Sequence, residues 1–131
     1  MHPVTEALDF PAFWANCVVQ GRIDDLIALY QQGAVLMPTF SAHAAKSKEE
    51  LRAYFKLLSS RADLQVVVRE KTLDCLQTGK QSYVVNGIYD IKFNVDDTLL
   101  TFPSRFTFVI DLGKEDPIMH HHSSQIPRTL T

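Results

Sequence analysis

Cysteine is scarce in this 131-residue chain: Cys17 and Cys75 are the only two. That is too few for a disulfide framework, and a core of this size needs none, so both read as buried free thiols. Charge of one sign is never concentrated. The formal net charge is -2 and no block of Lys and Arg stands out, which excludes non-specific nucleic-acid binding. No apolar run approaches the roughly 20 residues that span a bilayer. The opening Met1-His2-Pro3-Val4-Thr5-Glu6 has neither a basic nor an apolar stretch, so no secretion signal is read. The expectation is a soluble, cytoplasmic protein with no membrane partner. Also missing are HExxH, CxxC, a Gly-rich phosphate loop, a nucleophile elbow, internal repeats, linkers and low-complexity tracts.

What is present is an ordinary globular balance, 46% apolar and 21% charged, enough for one domain over 1–131 with one core. Phe10, Phe13, Trp14, Cys17 and Val18 recur at helical spacing. Asp9 is a plausible cap, Pro11 suits the first turn and Gly21 a helix stop. Ile23, Leu26, Ile27 and Tyr30 predict a second short helix, with Gly33 at its C-terminal end. Ala34 to Met37 then reads as a short buried strand closed by Pro38, and residues 39–46 as loop. Ser47-Lys48-Glu49-Glu50 is a capping box. It opens a third helix with Leu51, Tyr54, Phe55 and Leu58 on one face.

After Ser60 the period falls from 3.6 to 2. Residues 64–76, 82–93, 99–112 and 118–126 read as four long strands, broken by turn-forming residues at 78–80, 94–97 and 113–117. Short turns between consecutive strands predict antiparallel pairing. Helices followed by strands predict an α+β domain, with helices on one face of a curved antiparallel sheet.

The run His120-His121-His122-Ser123-Ser124 is the strongest hint of a site. It follows an apolar pair that suits a strand, unlike a cloning scar. Simple alternation puts His120, His122 and Ser124 on one face and His121 and Ser123 on the other. Three polar residues on one face of a core strand need partners or a wet pocket. His-x-His could hold one zinc, but a catalytic zinc wants a third protein ligand and only His2 and His43 remain. Thr39, at the mouth of a strand ended by Pro38, is either a turn threonine or a site residue. Tyr54 reads as a core tyrosine whose hydroxyl needs a partner. Arg105 lies on the strand face opposite Phe106 and Phe108, and either snorkels outward or contacts an anion in a pocket.

Phe13-Trp14, Gly21 to Leu26, Leu29-Tyr30, Ala34 to Thr39, Tyr54-Phe55, Gly87-Ile88-Tyr89, Arg105 to Val109 and His120 to Ser124 fall in an order that resembles a known group. These are the bacterial proteins similar to the association (hub) domain of calcium/calmodulin-dependent protein kinase II, in the nuclear transport factor 2-like, or SnoaL-like, superfamily. The His-His-His-Ser-Ser run is also the hallmark of the iota class of carbonic anhydrases. The resemblance covers about 10–127 and implies a cystatin-like cone, a curved sheet around the N-terminal helix, a pocket inside it and a homodimer or higher homo-oligomer. It implies carbonic anhydrase activity with Thr39, Tyr54, His122 and Ser124 as catalytic groups and Arg105 and His120 toward the substrate. The alternatives are a small-molecule (carboxylate) binding or isomerase pocket, or an oligomerisation domain. It implies no obligatory cofactor, since some members are metal-free, while leaving zinc or manganese open. Two departures stand out. Gly113-Lys114-Glu115 replaces the usual Gly-Lys-Trp, and Gly33 replaces an acidic residue before Ala-Val-Leu.

Overall fold

The computed structural model describes residues 2–130. Three helices come first, α1 (Phe10–Val19), α2 (Ile23–Ala28) and α3 (Lys48–Ser59), with strand β1 (Tyr30–Met37) between the last two. Then follow β2 (Gln65–Val68), β3 (Asp74–Gln77), β4 (Ser82–Val95), β5 (Thr98–Asp111) and β6 (Ile118–Gln125). None of the helices is long and apolar enough to cross a membrane.

Local chemistry explains most boundaries. Gly21 (φ +66°) ends α1. The N–H of Arg22 donates to Cys17 C=O at 3.1 Å and that of Gly21 to Val18 C=O at 3.1 Å, the bonds of a Schellman stop. Asp9 does not cap α1 with its side chain, because it lies in a 3-10 turn, Ala7–Asp9. The Ser47 half of the capping box forms as expected, while Glu50 reaches back one residue further than the motif requires. Ser47 Oγ accepts from Glu50 N–H at 3.1 Å, and Glu50 Oε1 accepts from Lys46 N–H at 3.1 Å.

The second helix is shorter than its spacing predicts. It ends at Ala28, and Tyr30 opens β1 instead. Lys48 explains part of this: its ammonium donates to the carbonyls of Ile27 and Tyr30, tying the end of α2 to the start of β1. Gly33 (φ +84°) lies in the irregularity between Tyr30 and Val35, in β1 rather than at a helix end.

The sheet order is β1-β6-β5-β4-β2, with β3 also on β4. All pairs are antiparallel except β1 with β6, which is parallel, a correction to the all-antiparallel expectation. The expected strand over 64–76 is two strands. Both pair along one edge of β4, β2 with 89–92 and β3 with 83–86. Between them the chain makes a 3-10 turn, Glu70–Thr72. Gly87 permits this, because a Cβ there would meet Leu73 Cδ2 at 3.0 Å and Thr72 Oγ1 at 3.1 Å.

The core lies between the helices and the inner sheet face. Phe10, Trp14, Val18, Leu51 and Phe55 pack on Val85, Tyr89, Phe106, Phe108 and Ile110. Cys17 is buried in it, whereas Cys75 is exposed on β3, contrary to expectation, since all four β3 residues are exposed.

Candidate functional site

One irregularity decides which histidine faces the core. Ile110 pairs with Ile118, but Val109 pairs with His120. Met119 is therefore an extra residue in β6, a bulge, and a bulge exchanges the faces of everything beyond it. Ile118 points inward; after the bulge, so do His121 and Ser123, both buried. His121 stands opposite Leu36 and Phe108, and Ser123 opposite Phe106. His122, exposed, stands opposite Met37 and Thr107, and Ser124 opposite Arg105.

The inward expectation is thereby corrected for His120, His122 and Ser124, and Arg105, open to either face on the sequence, proves to be outward. His120, His122, Ser124 and Arg105 share the outer face of the sheet, and Arg105 is solvent-exposed. His122 and Ser124 line an outer groove of about 270 Å³. Thr39 and Tyr54 line the interior, with His121 and Ser123 beside them.

Inside, the polar groups form a continuous chain. Trp14 Nε1–H donates to Tyr30 Oη at 3.1 Å, and Tyr30 Oη lies 2.8 Å from His121 Nδ1. His121 Nε2 lies 3.2 Å from Tyr89 Oη, which donates to Ser123 Oγ at 2.6 Å. Ser123 and Thr39 share a short hydroxyl–hydroxyl bond. Thr39 then donates to Ser104 Oγ at 3.4 Å, and Ser104 to Phe102 C=O at 3.4 Å.

The two ends set the direction. An indole N–H can only donate and a carbonyl can only accept. Tyr89 donates to Ser123, so it accepts from His121 Nε2–H, and Nδ1 must accept from Tyr30. The network therefore assigns His121 as the neutral Nε2–H tautomer. Burial, first, and then the neighbouring His120 and His122 hold its pKa well below the usual histidine value. A second proton on Nδ1 would also leave the Tyr30 proton without an acceptor. Phe108 stacks on the imidazole at 3.9 Å and Trp14 meets it edge-on at 4.9 Å. Burial raises the pKa of Tyr30 and Tyr89, so both stay protonated donors.

Beside this chain is a void of about 10 Å³, bounded by Thr39, Tyr54, Tyr89, His121 and Ser123. That is near the smallest space that holds one water. Pro38, Tyr54 and Leu58 line both this void and a much larger open cavity of about 510 Å³, between α3, the 38–45 loop and the end of β4. Phe40, Tyr54, Leu57, Leu58 and Phe93 line that cavity, with Arg61 and Glu50 as its charged lining groups. The Arg61 guanidinium lies 5.6 Å from the centroid of the Phe93 ring. Burial pushes the Tyr54 phenol up to about 12, while a backbone contact with Phe40 pulls the other way.

A metal does not fit the interior set. Both imidazole nitrogens of His121 are engaged, its neighbours are neutral hydroxyls, and among the described residues no three His, Cys, Asp or Glu side chains gather. Sequence reasoning missed Tyr30, Tyr89, His121, Ser123 and Arg61. The available signal was two tyrosines on apolar faces, each needing a polar partner.

The architecture has solved relatives. A protein from Xanthomonas campestris, assigned as a calcium/calmodulin dependent protein kinase II association domain, superposes with a TM-score of 0.82 at 22% identity, covering 98% of this chain and 99% of that one. An NTF2-like protein with a cystatin-like fold from Novosphingobium aromaticivorans gives 0.75 at 9% identity, over 95% and 82%. The chain has the NTF2-like, cystatin-like fold. The epoxide hydrolase/cyclase-like enzyme SalBIII, which acts in pyran ring formation in the polyether salinomycin, gives 0.73 at 15% identity, over 90% and 88%. No family model and no curated protein matches the sequence. At these identities the likeness concerns the NTF2-like fold alone.

Proposed function

We propose that this NTF2-like domain binds a small organic anion, a carboxylate, in the open cavity. The observation that carries the reading is the cavity itself. It measures about 510 Å³, within the range of small-molecule sites, and joins aromatic walls to a guanidinium held over Phe93. Arg61 takes the role that Arg105 held in the sequence reading. None of the salt bridges found among the described residues uses Arg61. The SalBIII likeness supports a small-molecule pocket on this fold without naming its ligand.

Thermal shift against small carboxylates and their amides tests this. A ligand at 100 times its Kd stabilises by about 2.7 kcal/mol, a readily measured rise in Tm. Ala53→Trp, at an exposed position on the cavity wall, should abolish the shift and leave the unliganded Tm near wild type. Shifts unaffected by Ala53→Trp would place binding elsewhere.

The interior void supports a second reading, hydration of carbon dioxide. Thr39, Tyr54, His121 and Ser123 surround a space fit for one water, with His121 and Ser123 in place of His122 and Ser124. Chemistry weighs against it. Lowering the pKa of water from 15.7 to about 7 requires roughly 12 kcal/mol, and the Thr39 and Ser123 hydroxyls are already hydrogen-bonded. Stopped-flow hydration on chelator-treated, metal-assayed protein decides it. A rate above buffer that is lost in Ser123→Ala but kept in Ser124→Ala supports the reading, and a background rate sinks it.

A further inference from the structure

We propose that the ligand is an aromatic carboxylate that enters ring first, its ring among Phe40, Tyr54 and Phe93 and its carboxylate left at the rim on Arg61. This rests on the small-anion reading above and adds the ligand class and its orientation.

Two observations carry it. The first is that the buried polar chain beside the void, of which Tyr54 is not a member, has no donor to spare. From Trp14 through Tyr30, His121, Tyr89, Ser123, Thr39 and Ser104 to the Phe102 carbonyl, every side-chain proton already has an acceptor. Among the described residues the only buried side-chain polar atom without a partner is Gln31 Nε2, and Gln31 does not line the cavity. A carboxylate pushed inward would lose its water and gain at most one bond, from the Tyr54 hydroxyl on the cavity wall, which is unfavourable. An apolar group pushed inward loses nothing.

The second observation is how the cavity is furnished. Phe40, Phe93 and Phe102 form a mutually packed trio, with centroids 5.6, 5.2 and 5.0 Å apart. Phe40 is only half-buried and Leu57 is 65% exposed on the same cavity. Such edges and faces suit a further ring. The charged groups are at the exposed margin. Glu50 is occupied by the α3 cap, accepting from Lys46 N–H and Ser47 Oγ. His43, also on the margin, donates its backbone N–H to Ser41 Oγ at 3.1 Å. Arg61 is exposed, with its guanidinium over the Phe93 ring and a planar fork that matches a carboxylate.

Calorimetric titration of the full chain with 3-phenylpropanoate, its neutral amide and butanoate tests the inference. The expected result is that the aromatic acid binds at least tenfold more tightly than either analogue. Arg61→Gln should reduce its affinity to that of the amide and leave the amide unchanged. Butanoate binding as tightly as 3-phenylpropanoate overturns the ring-first inference and leaves the small-anion reading standing. So does an Arg61→Gln variant, folded by circular dichroism, that keeps full affinity for the aromatic acid while carboxylates still outbind amides. An amide as tight as its acid overturns both, as does an absence of binding by all three probes together with no shift from any carboxylate in the thermal panel.

Discussion

Tyr30 Oη and His121 Nδ1 lie 2.8 Å apart, and the proton between them belongs to the tyrosine. Trp14 N–H already occupies one side of that oxygen, and Tyr89 takes the imidazole's only proton. Tyr30→Phe removes both the donor to Nδ1 and the acceptor for the indole. Each buried group left unsatisfied costs about 1–3 kcal/mol, so with two of them urea unfolding should show a loss of about 2–6 kcal/mol. Nitrogen-15 chemical shifts should report wild-type His121 as the Nε2–H tautomer; an Nδ1–H form would overturn the direction assigned to the chain.

The same histidine sets a pH dependence. Its pKa is lowered in the folded state, so the unfolded chain binds a proton that the folded chain refuses. Above about pH 6.5 both states are neutral and stability is fully present. Below it, stability falls by up to about 1.4 kcal/mol per pH unit. Asp90 contributes in a lower window. Arg69, hydrogen-bonded to it, holds its carboxyl below the usual value, and that contribution is lost only as pH falls through about 4 and below. Unfolding free energy measured between pH 7.5 and 5 should therefore slope downward in wild type and flatten in His121→Asn. Equal slopes in the two proteins would remove His121 as the cause.

Much of this was legible in the chain itself, and the failures have physical reasons. Ser47 and Glu50 act locally, across one turn, so the capping box could be read directly. Gly21 needed only its own φ. The inner face of β6 could not be read, because the bulge at Met119 is a property of how β6 meets β5, not of either strand alone. Alternation counted from Ile118 pointed to His122 and Ser124, and one inserted residue exchanged the answer. Arg61 was invisible for a similar reason. It reads as a solvated residue after α3, and only the end of β4, which brings Phe93 beneath it, makes it part of a cavity.

Gly87 offers a test of how the sheet edge is divided between β2 and β3. A methyl at this position would meet Leu73, Thr72 and Phe106 at 3.0, 3.1 and 3.2 Å. Thr72 cannot easily yield, since its Oγ1 accepts from Ile88 N–H at 2.8 Å. Overpacking of this kind costs about 1–3 kcal/mol, against a small gain in strand propensity. Gly87→Ala should lower stability by that amount and speed amide exchange at Ile88. An unchanged Tm would mean that the 3-10 turn moves aside freely.

The β4–β5 hairpin should be improvable. Val95 pairs with Thr98, so Asp96 and Asp97 form a two-residue loop, and both have positive φ, 50° and 63°. That is the type I′ turn, which fits the twist of the flanking strands and favours glycine at its second position. An L-residue held there carries a steric penalty, and two adjacent carboxylates also repel. Asp97→Gly should stabilise the fold by up to about 1 kcal/mol, read as a higher urea midpoint with an unchanged m-value. Asp63 also has positive φ, 57°, but its carboxylate accepts from the Asn94 side chain, and Asn94 N–H bonds Ala62 C=O at 2.9 Å. Asp63→Gly relieves the same backbone penalty yet breaks that tie, so its gain should be smaller than that of Asp97→Gly or reversed. If the two variants behave alike, backbone conformation alone governs both sites and the Asn94 contact contributes nothing.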